Sequence, residues 1–173
     1  NVFVGLVHRL DRPVGGCMVF AKTSKAASRL SEQVRNKSFK KTYRAVIHGK
    51  MNKQEDNLMD YLYKNKKTNM VSVVSKNTKD AKDARLSYET LDFKKNFSLV
   101  QIDLQTGRPH QIRVQFSSRN HPLYGDQRYG KNVNKKGQQI ALWSYKIEIE
   151  HPTKKEKMEF ICEPPNKYPW NMF

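Results

Sequence analysis

The segment His8-Arg9-Leu10-Asp11-Arg12-Pro13-Val14-Gly15-Gly16 puts one carboxylate between two arginines, in a turn stiffened by proline and tightened by two glycines. Neighbouring cations favour the charged form of an acid, and a charged carboxylate can serve as nucleophile or base. An isolated Asp–Arg pair is usually a turn cap or a surface ion pair. The proline and glycines around Asp11 make a rigid and costly turn, which points to a use for the group it holds. A second candidate is Thr106-Gly107-Arg108-Pro109-His110-Gln111-Ile112-Arg113. Its glycine permits close backbone approach. Its polar residues crowd the first turn of an expected helix, whose free N–H groups attract anions. The plain alternative is a capped helix with a basic surface. The third is Lys41-Thr42-Tyr43-Arg44-Ala45, where a tyrosine beside cations can stack on a base or simply fill the core.

These residues sit in a strongly basic chain. Its 173 residues carry a net charge of +17, and the length suits one domain with a real core. The excess is uneven. Residues 1–50 hold eleven Lys/Arg against two acids, and residues 105–136 hold seven against one. The stretches 51–104 and 137–173 are close to balanced. If folding joins the two basic segments, they form a face suited to phosphates. A merely solubilising lysine-rich surface would not need that clustering. No apolar run approaches the roughly 20 residues that span a bilayer, so no membrane partner is expected. Cys17 and Cys162 form no spaced motif and read as free thiols of a reducing, cytoplasmic compartment. The five histidines lack ligand spacing, so neither a metal nor another cofactor is expected.

The elements that must position these groups are partly readable. Residues 16–22 read as a short buried strand leaving the Asp11 turn. Thr23-Ser24 offers an N-cap to an amphipathic helix over 25–36, with Ala27, Leu30 and Val34 inward. Tyr43, Ala45 and Ile47 alternate along a strand that Gly49 ends. Residues 50–82 look least ordered, with short strands at 58–63 and 70–74 and a mobile polar insert around 76–83. Residues 85–93 and 97–104 suggest a hairpin closed by Lys94-Lys95-Asn96. Pro109 suits the first turn of a helix over 109–119, with Ile112 and Phe116 facing inward. Strands at 140–149 and 157–162 flank a turn at His151-Pro152. The sum is an α+β domain, mostly antiparallel sheet with two main helices.

Together the three segments resemble the RluA family of pseudouridine synthases. The resemblance rests on His8-Arg9-Leu10-Asp11, on Lys41, Tyr43 and Ala45, on Thr106 to Arg113, and on Gly125-Asp126 with Tyr129-Gly130, in that order and spacing. It runs from about Gly5 to Pro165. Two departures stand out. Val14-Gly15-Gly16 replaces a usual Thr-Ser-Gly, which keeps a small-residue turn. The strands that usually precede the first motif are missing, so residues 1–173 are expected to form an N-terminally incomplete catalytic domain.

The resemblance implies a pseudouridine synthase-like fold, with a mostly antiparallel mixed sheet, flanking helices and a central basic cleft. It implies isomerisation of a uridine in ribosomal or transfer RNA, with the target base flipped out of the folded RNA. Asp11 is then the essential carboxylate, able to attack C1′, to take a proton from C2′, or to add to C6. Arg113 is its partner, holding it by paired hydrogen bonds. Tyr43 stacks on the uracil, Arg9 contacts RNA at the vacated position, and Arg108 contacts a phosphate. A monomer is expected. A glycoside hydrolase would need a second carboxylate about 5 to 10 Å away. Only Asp103 and Asp126 lie near the motifs, and Asp126 is expected to fix its own turn. A non-catalytic RNA-binding or ribosomal protein would explain the charge equally well and leave Asp11 structural.

Overall fold

A computed structural model describes residues 2–173. In chain order the elements are β1 (Gly5–Leu6), β2 (Gly15–Gly16), β3 (Phe20–Ala21), α1 (Ser24–Arg35), β4 (Lys40–His48), β5 (Glu55–Lys64) and β6 (Val71–Val74). They continue with β7 (Lys82–Lys94), β8 (Phe97–Leu104), α2 (Gln111–Ser117), β9 (Leu142–Glu150), β10 (Lys157–Ile161) and a terminal 3-10 turn at Trp170–Met172. The main sheet runs β10-β9-β4-β8-β7-β5-β6, with β2 added to β9. All its pairings are antiparallel except β2 with β9. The sheet is therefore mixed but mostly antiparallel, and the fold is α+β.

Local chemistry accounts for several elements. Thr23 caps α1 by accepting the Ala26 N–H at 3.1 Å, and Leu30 is buried with Ala27 and Val34 beside it. The β7–β8 turn has Lys95 at φ 49° and Asn96 at φ 63°, the left-handed pair that tight hairpins require. The expected strands at 58–63 and 70–74 are β5, which begins earlier at Glu55 and buries Leu58 and Leu62, and β6. Other elements depart from expectation. The stretch expected as a mobile insert around 76–83 is a turn that runs into β7 at Lys82. The supposed strand at 16–22 is broken between β2, on β9, and β3, on β1. The second helix begins at Gln111, so Pro109 lies outside it, and His110 stands at its entrance at φ 51°.

Two layers of core hold the sheet. Tyr43, Ala45, Ile47, Leu86, Val100 and Ile102 pack beneath Ile112 and Phe116 of α2. Leu30 and Phe39 pack on Ile147 and Ile149. Burying a side chain such as Phe116 is worth about 1.5–3 kcal/mol, so α2 is anchored although it is only seven residues long.

The glycines after Asp11 are there for close approach. A Cβ on Gly15 would lie 2.4 Å from the Trp143 ring, and one on Gly16 2.3 Å from the Ser144 carbonyl oxygen. Gly16 also has φ 116°, which L residues rarely adopt. Gly16→Ala is expected to destabilise the fold by at least roughly 1–3 kcal/mol from the backbone strain alone, read as a lower midpoint of thermal unfolding. An unchanged midpoint would show that β2 does not need this contact with β9.

Candidate active site

Asp11 closes a turn in which Val14 N–H donates to its carbonyl oxygen at 2.9 Å. Beyond the turn, Gly15 and Gly16 lie flat on β9 and Cys17 N–H donates to Ser144 at 2.8 Å. The carboxylate is therefore fixed relative to the main sheet. Its Oδ1 accepts the Arg12 backbone N–H at 2.8 Å. The adjacent arginine side chains are not what holds it: Arg9 and Arg12 are exposed. The cation on Asp11 is Arg113, 102 residues away, whose Nη1 donates to Oδ2.

Arg113 is nearly buried on α2. Its paired hydrogen bonds go to Asp126, with Nε to Oδ2 at 2.8 Å and Nη2 to Oδ1 at 2.7 Å. This corrects the expectation that the paired bonds would reach Asp11, which receives one. Asp126 is fully buried and also accepts Arg128 N–H at 2.9 Å and Tyr129 N–H at 3.1 Å. It fixes its turn, as expected, and it also anchors Arg113, a role the sequence reading missed. The Gly-Asp…Tyr-Gly element after Arg113 was the available signal. Burial works against charge on Arg113, but hydrogen bonds and charge from Asp126 and then Asp11 outweigh it and raise its pKa. The guanidinium is permanently charged.

The residues leading into α2 are scaffolding. Thr106 Oγ1 accepts Arg85 N–H at 2.8 Å and donates to Gln111 Oε1 at 2.8 Å. Gln111 Oε1 also accepts Arg108 N–H at 3.0 Å, and its amide donates to the Arg85 carbonyl at 3.1 Å. This knot ties the loop to β7 and aims Arg113 at Asp11. Gln111 is thus consumed by structure rather than offered to an anion.

Asp11, Arg113, Tyr43, Arg9 and Arg108 all line one cleft of about 1200 Å3. Its walls include Arg35, Lys37, Lys40 and Lys41 from the first basic segment, so folding does join the two segments. Arg9 is exposed there. Arg108 is partly committed: Nε donates to the Asp83 carbonyl at 2.8 Å and Nη2 to its carboxylate at 3.1 Å. Tyr43 is both core and cleft wall. It is only 7% exposed, at a bulge where β4 pairs Thr42 with Lys146 and then Tyr43 with Ser144. Such bulges re-aim side chains. Burial pushes its hydroxyl pKa up to about 12, so it stays protonated.

The family described as RNA pseudouridylate synthase matches residues 2–118, more than half of the chain. The chain belongs to the RNA pseudouridylate synthase family. It is similar to the RNA pseudouridine synthase YlyB of Bacillus subtilis, 34% identical over 158 residues, covering 90% of this chain and 50% of that protein. It is also similar to ribosomal large subunit pseudouridine synthase C of Buchnera aphidicola, 35% identical over 172 residues, covering 91% and 52%. The chain spans about half the length of these relatives. The structure of human RNA pseudouridylate synthase domain containing 1 shares the fold, with TM-score 0.82 at 22% identity, covering 96% of this chain and 71% of that one. Within the pseudouridylate synthase family, the motifs carried here are those of the RluA branch. Among the described residues, no helix is long and apolar enough to cross a membrane.

The first residue of the synthase motif also has a structural job. His8 Nε2 accepts the Val19 N–H at 3.0 Å, and its ring packs on Phe39. Burial, and then the charge of Lys41, lower its pKa from 6.5 to about 4. Between those values the unfolded chain binds a proton that the fold refuses, so stability falls as pH drops from 6.5 toward 4. His8→Gln keeps an acceptor and cannot titrate. Its thermal midpoint is expected to fall less than that of the wild type across that window. Parallel curves would rule out His8 as a source of the slope.

Proposed function

We propose that this chain carries the catalytic site of an RNA pseudouridine synthase. The reaction breaks the bond between uracil N1 and ribose C1′, turns the base, and rejoins it through C5, with the C5 proton leaving. The observation that supports this best is a carboxylate, Asp11, inside a cleft built from both basic segments and gripped by a buried arginine. Phosphates of the substrate meet the cations of the walls, and the flipped uridine reaches Asp11.

The groups divide the work. Asp11 attacks C1′, takes the C2′ proton, or adds to C6, and each of these needs its charged form. Arg113 holds that charge in one orientation and cannot lose its own proton. Tyr43 offers a neutral ring at the cleft wall against which uracil stacks. Arg9, free and exposed, fills the position the uridine leaves. Arg108 turns its remaining guanidinium edge to a phosphate. Hydrolysis of a glycosidic bond fits less well, because both oxygens of Asp126 are taken by Arg113 and Asp103 accepts the Thr42 hydroxyl at 2.7 Å.

The substrate is a uridine of ribosomal or transfer RNA, in the cytoplasm, and the chain acts as a monomer. Mapping pseudouridines in total RNA from cells with and without the gene tests this. At least one position is expected to disappear on deletion and to return with the wild-type gene. An unchanged map would overturn the reading.

A further inference from the structure

Asp11 has two oxygens and only one is held by Arg113. The other, Oδ1, accepts the Arg12 N–H and faces Nε2 of His110 at 3.8 Å. The mechanism above makes no use of His110. Yet this residue has φ 51°, a left-handed conformation uncommon outside glycine. Backbone strain of this kind gathers at functional sites.

The second ring nitrogen explains the placement. His110 Nδ1 lies 2.7 Å from the Tyr129 hydroxyl, and that hydroxyl already accepts the Val71 N–H at 3.0 Å. The Tyr129 proton is therefore free to go to Nδ1, which leaves the imidazole's own proton on Nε2. The opposite tautomer would aim a lone pair at a carboxylate oxygen. The ring is also kept neutral: burial lowers its proton affinity, the Asp11 charge opposes this, and Arg113, Arg128 and Lys64 reinforce it. Arg12 and Asp126 line the same pocket as His110.

We propose that His110 is a positioning residue for Asp11: locked by Tyr129 with its proton on Nε2, it holds the carboxylate from the Oδ1 side while Arg113 holds it from the Oδ2 side. The proposal rests on Asp11 being the essential carboxylate. The 3.8 Å separation is open in the free protein and closes when the substrate turns Asp11, as catalytic contacts often do. A neutral donor orients the carboxylate without neutralising it. A protonated His110 would pair with Asp11 and blunt it, so activity falls on the acid side, below the ordinary histidine value of 6.5.

The test uses the full chain and tritium release from transfer RNA and large-subunit ribosomal RNA transcripts labelled at uridine C5. His110→Asn tolerates the left-handed backbone and keeps an acceptor for Tyr129, but places nothing at Nε2. Tyr129→Phe keeps the ring and removes the lock. Each is expected to lower kcat about tenfold to a hundredfold, the size of one hydrogen bond to a charged group, with KM for RNA nearly unchanged. The double variant should be no worse than His110→Asn alone, because both act through one chain of bonds. The wild-type acid limb should vanish in His110→Asn. Independently of turnover, imidazole nitrogen NMR at neutral pH should show His110 neutral and protonated on Nε2.

A proton on Nδ1, an imidazolium at neutral pH, or wild-type kcat in His110→Asn would overturn the proposal. If Asp11→Asn is inactive while His110→Asn is normal, only this inference fails. If Asp11→Asn is active, the assignment beneath it fails as well.

Discussion

Asp11→Asn is expected to abolish pseudouridine formation, lowering kcat on the order of 10^4-fold or more, as removal of a reacting group does. Asparagine has nearly the same shape and can still accept the Arg12 N–H through its oxygen. It has no charge, so it can neither attack C1′ nor add to C6, and it is too weak a base to take a proton from C2′. Among the described residues, the carboxylates near it are already engaged, Glu148 of the cleft with Lys146. Asp126 is locked on Arg113 and Asp103 on Thr42. RNA affinity is expected to come instead from the cations of the cleft, among them Arg9, Lys40 and Lys41, and these are untouched. Tritium release and fluorescence anisotropy with the same transcripts separate the two effects. Retained turnover would remove Asp11 from the chemistry. The contrast also divides an enzyme from a protein that only binds RNA, for which the variant would show no loss of any activity.

The second large effect is expected from Asp126→Asn. The wild-type carboxylate accepts two bonds from Arg113 and two from the backbone of its own turn. An amide of the same volume would set an N–H group against the guanidinium. Arg113 would then sit buried with one counter-charge in place of two. Breaking a buried pair on one side costs about 3–5 kcal/mol, read by denaturant unfolding at neutral pH. Neutral pH is the right condition. Burial raises the Asp126 pKa, but bonds and charge from Arg113 bring it below its ordinary 3.8. Its contribution is therefore complete above 3.8 and lost only as pH falls through the lower folded value. Activity should fall too, because an unanchored Arg113 no longer fixes the orientation of Asp11. A loss below about 1 kcal/mol, typical of an exposed ion pair, would contradict the buried triad.

Elements written in local residue order were legible in the sequence. The Thr23 cap and the spacing of Ala27, Leu30 and Val34 placed α1 within a residue or so, because capping and periodicity act within a few turns. The β7–β8 hairpin was legible for the same reason. The strand at 58–63 was legible as the middle of β5, but its first residues were not, since Glu55, Asp56 and Asn57 read like a loop until the partner β7 is known. The start of α2 was misread because Pro109 favours a first helical turn, whereas the Thr106–Gln111 knot on β7 delays the helix to Gln111. That knot joins residues 21 and 26 positions apart to the loop, and no local rule could supply it.

The site divides along the same line. The sequence by itself determined which groups exist and their chemical kinds: one acid in a rigid turn, two clusters of cations, a tyrosine on a strand, and the order of motifs that marks the family. Only the tertiary structure decided who holds whom. Arg9 and Arg12 flank Asp11 in the chain, yet their side chains point to solvent, and a buried arginine from α2 takes the carboxylate. The reason is physical. An exposed ion pair gains little against water and side-chain entropy, whereas a buried guanidinium must find partners or unfold the site. Burial, which depends on the packing of α2 against the sheet, therefore chose Arg113 for Asp11 and Asp126 for Arg113.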